Sequence, residues 1–105
     1  MAILHIKNHD FQKEVLESQK PVILDFFATW CGPCKMMDAD VWSTAEAEEI
    51  KKNFVPVKID IDAERALAIQ YNVRSIPMLI LMTHKGETIH TYTGYSGKED
   101  LMKFI

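Results

Sequence analysis

Cysteine is scarce in this chain, since Cys31 and Cys34 are the only two among 105 residues, and proline and glycine occur four times each. No stretch approaches the roughly 18 consecutive apolar residues that a membrane-spanning helix needs, so no membrane segment is predicted. The net charge is −3 and Lys and Arg form no run, which argues against a nucleic-acid or anionic-membrane surface. Linkers, repeats and low-complexity segments are also missing, so residues 1–105 are predicted to form a single domain.

The first residues, MAILHIKNHDF, lack the features of a secretory signal peptide. They have no basic start, no long apolar run and no small-residue cleavage site. We therefore expect the protein to stay in the compartment where it is made, which predicts a cytoplasmic location. A periplasmic location is the alternative if a leader has been removed.

Strand-like and helix-like segments alternate along the chain in the order β-α-β-α-β-α-β-β-α. Such alternation predicts a mostly parallel sheet covered on both faces, with a final antiparallel hairpin. The apolar run VILDFFA after Pro21 is too continuous for a half-exposed strand and predicts a central one. An earlier helix is predicted after Asn8, with Phe11, Val15 and Leu16 on its apolar face.

The segment after the cysteines carries two helix-start signals. Pro33 suits the first turn of a helix, and Ser43 followed by Glu46 fits a capping box. We predict a helix to Trp42, a break at Ser43 and a second helix to about Asn53. One continuous helix is the alternative. The later elements are predicted as a strand over Val55–Asp62, a helix over Ala63–Tyr71, a strand over Ile76–Met82, a turn at Lys85 and Gly86, and a last helix capped by Ser96 and Glu99.

The two cysteines, with two residues between them, have three interpretations. A zinc site needs four ligands or three plus water, and the four histidines show no paired ligand spacing. A permanent disulfide that encloses two residues stabilises a fold little, because loop-closure entropy grows with the loop. A pair that is made and broken in catalysis accounts for more of the surrounding residues.

The catalytic interpretation assigns different roles to the two sulfurs. At a helix N-terminus, Cys31 meets unsatisfied backbone N–H groups that favour the reactive thiolate. Cys34 lies nearly one turn further on, so its sulfur can face that of Cys31, and we expect it to be less exposed. Cys31 is therefore predicted to attack and Cys34 to resolve the mixed disulfide, with Pro33 stiffening the loop.

The string VILDFFATWCGPCK, with SIP further along, resembles the thioredoxin family, and VKIDID and TGYSGKEDL extend the resemblance over nearly the whole chain. It implies the thioredoxin fold, an α/β structure with a central mixed, mostly parallel sheet and helices on both faces. It also implies a thiol–disulfide oxidoreductase that reduces protein disulfides through Cys31-Gly32-Pro33-Cys34. No metal or organic cofactor is implied, because the dithiol itself is the redox group.

The resemblance gives two charged residues a role beside the cysteines. Asp25 lies in an apolar strand, where burial of a carboxylate is costly and raises its pKa. The family's Asp lies beneath the second cysteine and assists its deprotonation, and Lys58 resembles the lysine that offsets this charge. The alternatives are an Asp25 that reaches solvent at a strand bulge and a Lys58 that is an ordinary exposed strand residue.

The resemblance also implies a substrate-binding surface. Pro77 falls in a strand pattern, where proline is normally excluded, and the family resolves this with a cis Ile76–Pro77 bond against the sulfurs. An extended substrate then pairs with the backbone of Ile76. A trans proline at the strand start, and a Trp30 that belongs to the core, are the alternatives. The predicted substrate-binding residues are Trp30, Gly32, Pro33, Ile61, Ile76 and Gly94.

Some positions depart from the common family pattern. Ala39 stands where the family has a helix-kinking proline, Met78 replaces a small polar residue, and the segment from Cys34 to Lys58 is longer. That segment resembles a branch that includes the C-terminal domains of transmembrane thiol:disulfide interchange proteins.

The predicted partners are disulfide-containing proteins and a reductase of unknown identity, with a monomer as the expected state. The alternatives are a periplasmic interchange or isomerase-type protein, a redox adaptor with one dedicated partner, and a binding module with vestigial cysteines.

Overall fold

The structure, a computed structural model, describes residues 4–5 and 19–105. The helix predicted after Asn8 lies outside the described residues. The elements follow one another as β1 (Leu4–His5), β2 (Val22–Phe27), α1 (Gly32–Met37), a π-helical segment (Asp38–Trp42), α2 (Ala45–Asn53), β3 (Val55–Asp60), α3 (Arg65–Gln70), β4 (Met78–Met82), β5 (Thr88–Thr93) and α4 (Lys98–Phe104).

The strands form one mixed sheet in the order β1-β3-β2-β4-β5. β3 runs parallel to both β1 and β2, whereas β4 runs antiparallel to β2 and to β5. The predicted mixed sheet and final hairpin are therefore confirmed. The prediction of a mostly parallel sheet is wrong, because the described pairings divide equally between the two kinds. Alternation of helix and strand does not fix the direction in which β4 joins the sheet.

The central strand β2 is buried along its whole length, as predicted. Its side chains alternate between two core clusters on opposite faces of the sheet. Leu24 and Phe26 belong to the cluster that includes Leu67 of α3. Ile23 belongs to the other cluster, to which α1, the π-helical segment, α2 and α4 contribute. Helices therefore cover both faces, and Asp25, two residues after Ile23, points to the face that α1 covers.

The predicted break after the cysteines is confirmed, but the predicted cap of the second helix is wrong. The backbone N–H of Ser43 donates to the carbonyl of Asp38 at 2.8 Å, five residues back, and this closes a π turn. Ser43 is therefore still held by the preceding segment. Thr44 has the extended backbone of an N-cap, and its Oγ1 accepts from the backbone N–H of Glu46 at 3.3 Å.

The other predicted boundaries differ from the structure by a few residues. The last helix forms, but its N-cap is Gly97 with a φ of 112°, and no side chain caps it, so the predicted role of Ser96 and Glu99 is wrong. The turn at Lys85 and Gly86 is confirmed, with Gly86 at a φ of 88°. Within the described ranges, no helix has the length and apolar character needed to cross a membrane.

Candidate active site

Cys31 and Cys34 lie where β2 passes into α1, and a disulfide joins them in this structure. Their Cα atoms are 5.2 Å apart. Cys31 is the N-cap of α1, and its Sγ accepts a hydrogen bond from the backbone N–H of Cys34 at 3.1 Å. Once the disulfide is reduced, a donor aimed at this sulfur favours its thiolate form.

Both sulfur-bearing residues are buried, with exposed fractions of 4% for Cys31 and 5% for Cys34. The prediction that Cys34 is the less exposed of the two is therefore wrong. The reason is that both pack into one apolar cluster at the end of β2. Gly32 and Pro33 between them are exposed. The cluster that covers the cysteines contains Phe27 and Ala28, with Ile61 and Ile76 packed against it.

Asp25 is buried, with 2% of its surface exposed, so the alternative of a carboxyl that reaches solvent is wrong. Burial raises its pKa from 3.8 to about 7. The charge of Lys58 opposes this rise, and the charge of Asp38 adds to it. Among the described residues, neither Oδ1 of Asp25 nor Nε1 of Trp42 has a partner at hydrogen-bond geometry.

Lys58 is also buried, with 9% exposed, so it is not an ordinary exposed strand lysine. It pairs in register with Asp25 across β2 and β3. Its Nζ, however, lies 2.9 Å from Oδ1 of Asp38 and 4.5 Å from the ring centroid of Phe27. The ammonium group therefore forms its ion pair with a carboxylate that sequence analysis did not single out. The available signal was spacing, because Asp38 follows Cys34 by four residues and so lies on the same helix face.

A pocket of about 250 Å³ opens beside Cys34. Cys34, Lys58 and Asp38 therefore border the same space. The residues that line it are Phe27, Ala28, Thr29, Cys34, Lys35, Asp38 and Lys58.

The peptide bond between Ile76 and Pro77 is cis, as predicted. Pro77 does not lie inside a strand, because β4 begins one residue later at Met78. A residue without an N–H cannot donate to the ladder, which accounts for this boundary. The carbonyl of Pro77 accepts from the backbone N–H of Gly94 at 2.8 Å, so Gly94, at a φ of 83°, lies beside it.

Trp30 is 65% exposed, so it does not belong to the core. Its Nε1 donates to Oδ2 of Asp62 at 2.8 Å, which fixes the indole at the surface next to the cysteines. Met36 on α1 is also largely exposed, at 60%. Large apolar side chains that precede and follow the two cysteines in sequence are therefore exposed.

No cluster of three or more His, Cys, Asp or Glu side chains that could bind a metal ion occurs in the described part of the chain.

The sequence matches the family model for thioredoxin over residues 2–105. It is similar to thioredoxin of Haemophilus influenzae, with 41% identity over 98% of this chain and 94% of that protein. Thioredoxin of Porphyra purpurea is 37% identical over 96% of this chain and 92% of its own length. The "Bifunctional thioredoxin reductase/thioredoxin" of Mycobacterium leprae is 36% identical over 95% of this chain, which corresponds to 21% of that protein. These similarities do not favour the interchange-protein branch.

Proposed function

The chain belongs to the thioredoxin family and is a thiol–disulfide oxidoreductase, and from this premise we propose that it works as one domain, residues 1–105, that reduces disulfides in other proteins. The observation that carries this proposal is the paired arrangement of Cys31 and Cys34 at the start of α1. One sulfur accepts a backbone N–H, and the other residue borders a pocket with three charged side chains, Lys35, Asp38 and Lys58.

The proposed reaction moves two electrons from the dithiol to the substrate. The Cys31 thiolate attacks one sulfur of the substrate disulfide, forms a mixed disulfide and releases the second substrate sulfur, which takes up a proton. The Cys34 thiolate then attacks Sγ of Cys31, and the remaining substrate sulfur leaves as a thiol. The substrate ends as a dithiol and the protein ends with the disulfide seen in this structure.

We assign the proton of Cys34 to Asp25. A carboxyl whose pKa is about 7 can accept a proton near neutral pH and return it in the reverse step, which is the requirement for a general base. Lys58 supports this site by its positive charge, which counters the burial of the ionised carboxyl. Asp25 and Lys58 therefore serve the release step, in which Cys34 must become a thiolate.

Substrate docking is assigned to the exposed rim of the site. Trp30 presents its indole at the surface, Gly32 and Pro33 are exposed, and Ile61 and Ile76 lie against the cysteine cluster. Gly94 has open space where a side chain begins, so an extended substrate backbone can pass beside it and Pro77. A flat apolar rim of this kind suits many different exposed disulfides.

A separate reductase is the proposed electron donor. The Mycobacterium leprae relative is named as both a thioredoxin reductase and a thioredoxin, which supports a reductase of that kind as partner. We further propose that the protein acts as a monomer in the cytoplasm, with the dithiol as its only redox group and no cofactor.

Reduction of insulin by dithiothreitol tests the proposed activity. The wild type should accelerate precipitation of the insulin chains, whereas Cys31→Ser should give the uncatalysed rate because it lacks the attacking sulfur. Lys85→Ala, on the exposed turn between β4 and β5, is the control and should keep the wild-type rate. An active Cys31→Ser variant would contradict the proposal.

Equilibration with a thiol buffer of known potential tests whether the protein reduces or oxidises its substrates. A reductant should have a reduction potential of about −270 mV, and an oxidant one of about −120 mV.

A further inference from the structure

The carboxyl groups of Asp25 and Asp38 both interact with the ammonium group of Lys58, and Lys58 and Asp38 line the pocket beside Cys34. Lys58 and Asp25 are register partners on adjacent strands, so their side chains leave the sheet on the same face. The ammonium nevertheless hydrogen-bonds Asp38 at 2.9 Å, while Oδ1 of Asp25 accepts no hydrogen bond within the described residues. The Lys58 ammonium is therefore directed to the more exposed of the two acids.

The π-helical segment holds Asp38 in this position. Oδ1 accepts from Lys58, and Oδ2 accepts from the Ser43 hydroxyl at 3.2 Å. The carbonyl of Asp38 also accepts the backbone N–H of Ser43, which closes the π turn. Side chain and backbone of Asp38 are thus both fixed, and the carboxylate remains 42% exposed while it reaches the buried ammonium.

The groups around Asp25 come from several elements. β3 supplies Lys58, and the π-helical segment supplies Asp38 and Trp42. On β4, the register partner of Asp25 is the apolar Leu79. α1 supplies Cys34 and Lys35 to the pocket that Lys58 and Asp38 also line. Asp38 is therefore the one described acid in this set besides Asp25 itself.

We propose that Asp38 is a positioning residue for proton transfer at Asp25, because it holds the Lys58 ammonium at its own carboxylate and adds a second negative charge beside the buried carboxyl. The proposal rests on the proton role of Asp25 proposed above. The charge of Asp38 raises the pKa of Asp25, and the charge of Lys58 lowers it. Removal of the Asp38 charge should therefore favour the ionised form of Asp25 in two ways. The repulsion between the two carboxylates is lost, and the Lys58 ammonium is free to approach Asp25.

Titration of the Asp25 carboxyl carbon by NMR in the disulfide form tests this directly. Asp38→Asn should lower the measured pKa of Asp25 by roughly half a pH unit or more, the direction expected when a like charge is removed. Asp38→Glu keeps the negative charge and should leave the pKa closer to the wild-type value. Because Asn has nearly the shape of Asp and this site is partly exposed, both variants are expected to fold.

Asp40→Asn is the matched control. Asp40 lies two residues further along the same segment, and its Oδ2 accepts from the hydroxyl of Tyr95 at 2.7 Å, so it takes no part in the Lys58 pair. It loses the same charge and should leave the pKa of Asp25 unchanged. An unchanged or raised pKa in Asp38→Asn, or an equal fall in Asp40→Asn, would overturn the proposal.

The pH dependence of insulin reduction links the proposal to the reaction. In Asp38→Asn, the low-pH limb of the rate profile should move to lower pH by the same amount as the pKa of Asp25, and a limb that stays in place contradicts the proposal. If Asp25→Asn turns over at the wild-type rate near neutral pH, Asp25 is not the proton carrier. The titration then still decides whether Asp38 sets the pKa of that carboxyl, so the two failures are distinguishable.

Discussion

At the scale of single residues, the electrostatics around the buried carboxyl depend on three side chains, those of Asp25, Lys58 and Asp38. The apolar strand around Asp25 predicted its burial, with a strand bulge that reaches solvent as the alternative, and the structure decides for burial. The role of Lys58 beside it came from the family resemblance, with an exposed strand lysine as the alternative. The contact of Asp38 with Lys58 was not predicted, because the spacing of Asp38 from Cys34 indicates its helix face but not the ammonium that it meets across the fold. Only the packed structure decides which carboxylate an ammonium approaches.

The burial of Asp25 makes stability depend on pH. The folded pKa, about 7, lies above the unfolded value of 3.8. Between these values the folded state keeps a proton that the unfolded state loses, so the stability falls as the pH rises from about 4 to about 7 and is level above. At about 1.4 kcal/mol for each tenfold change, the ionised carboxyl costs on the order of 4 kcal/mol.

Asp25→Asn should therefore stabilise the disulfide form most above pH 7 and least near pH 4. Urea denaturation at several pH values measures this, and the advantage at pH 8 should approach about 4 kcal/mol. Glu49→Gln, which removes an exposed carboxylate on α2, should change stability by less than about 1 kcal/mol at every pH. Wild-type and Asp25→Asn curves that stay parallel from pH 4 to pH 8 would contradict the burial of an ionisable carboxyl at this position.

At the scale of elements, the segment after the cysteines contains one feature that the local sequence predicts and one that it does not. The break near Ser43 follows from local composition, because Ser and Thr compete with the helical backbone. The π-helical segment does not, since it depends on whether the Ser43 N–H bonds four or five residues back. Because the Ser43 N–H bonds five residues back, the N-cap of α2 is Thr44, one residue after the predicted Ser43. The same kind of shift put Gly97, rather than Ser96, at the start of α4.

Thr44→Ala tests the observed cap. It removes the acceptor for the Glu46 N–H and should lower the free energy of unfolding by about 1 kcal/mol. Ser43→Ala is the matched variant and should cost less, since the backbone bond that closes the π turn does not need the Ser43 hydroxyl. Denaturant unfolding measures both. A larger loss in Ser43→Ala than in Thr44→Ala would contradict the cap assignment.

At the scale of the whole molecule, the layered arrangement was predictable and the sheet directions were not. The continuous apolar run of β2 requires cover on both faces, which the two core clusters supply. The antiparallel direction of β4 in the sheet depends on the path of the chain through residues 71–77, and the sequence of this segment shows no hydrophobic periodicity. This path brings Ile76 to the cysteine cluster and Pro77 to Gly94. The site is thus assembled from segments far apart in sequence, around a motif that is local.

The central claim is that Cys31 attacks a substrate disulfide and Cys34 resolves the product. Trapping of the mixed disulfide tests it most directly. Reduced Cys34→Ser and reduced Cys31→Ser are each incubated with a disulfide-bonded peptide and analysed by mass spectrometry. Cys34→Ser should accumulate a stable adduct on Cys31, because the resolving sulfur is absent, and Cys31→Ser should accumulate little. Equal adducts in both variants, or an adduct mainly on Cys34, would contradict the account.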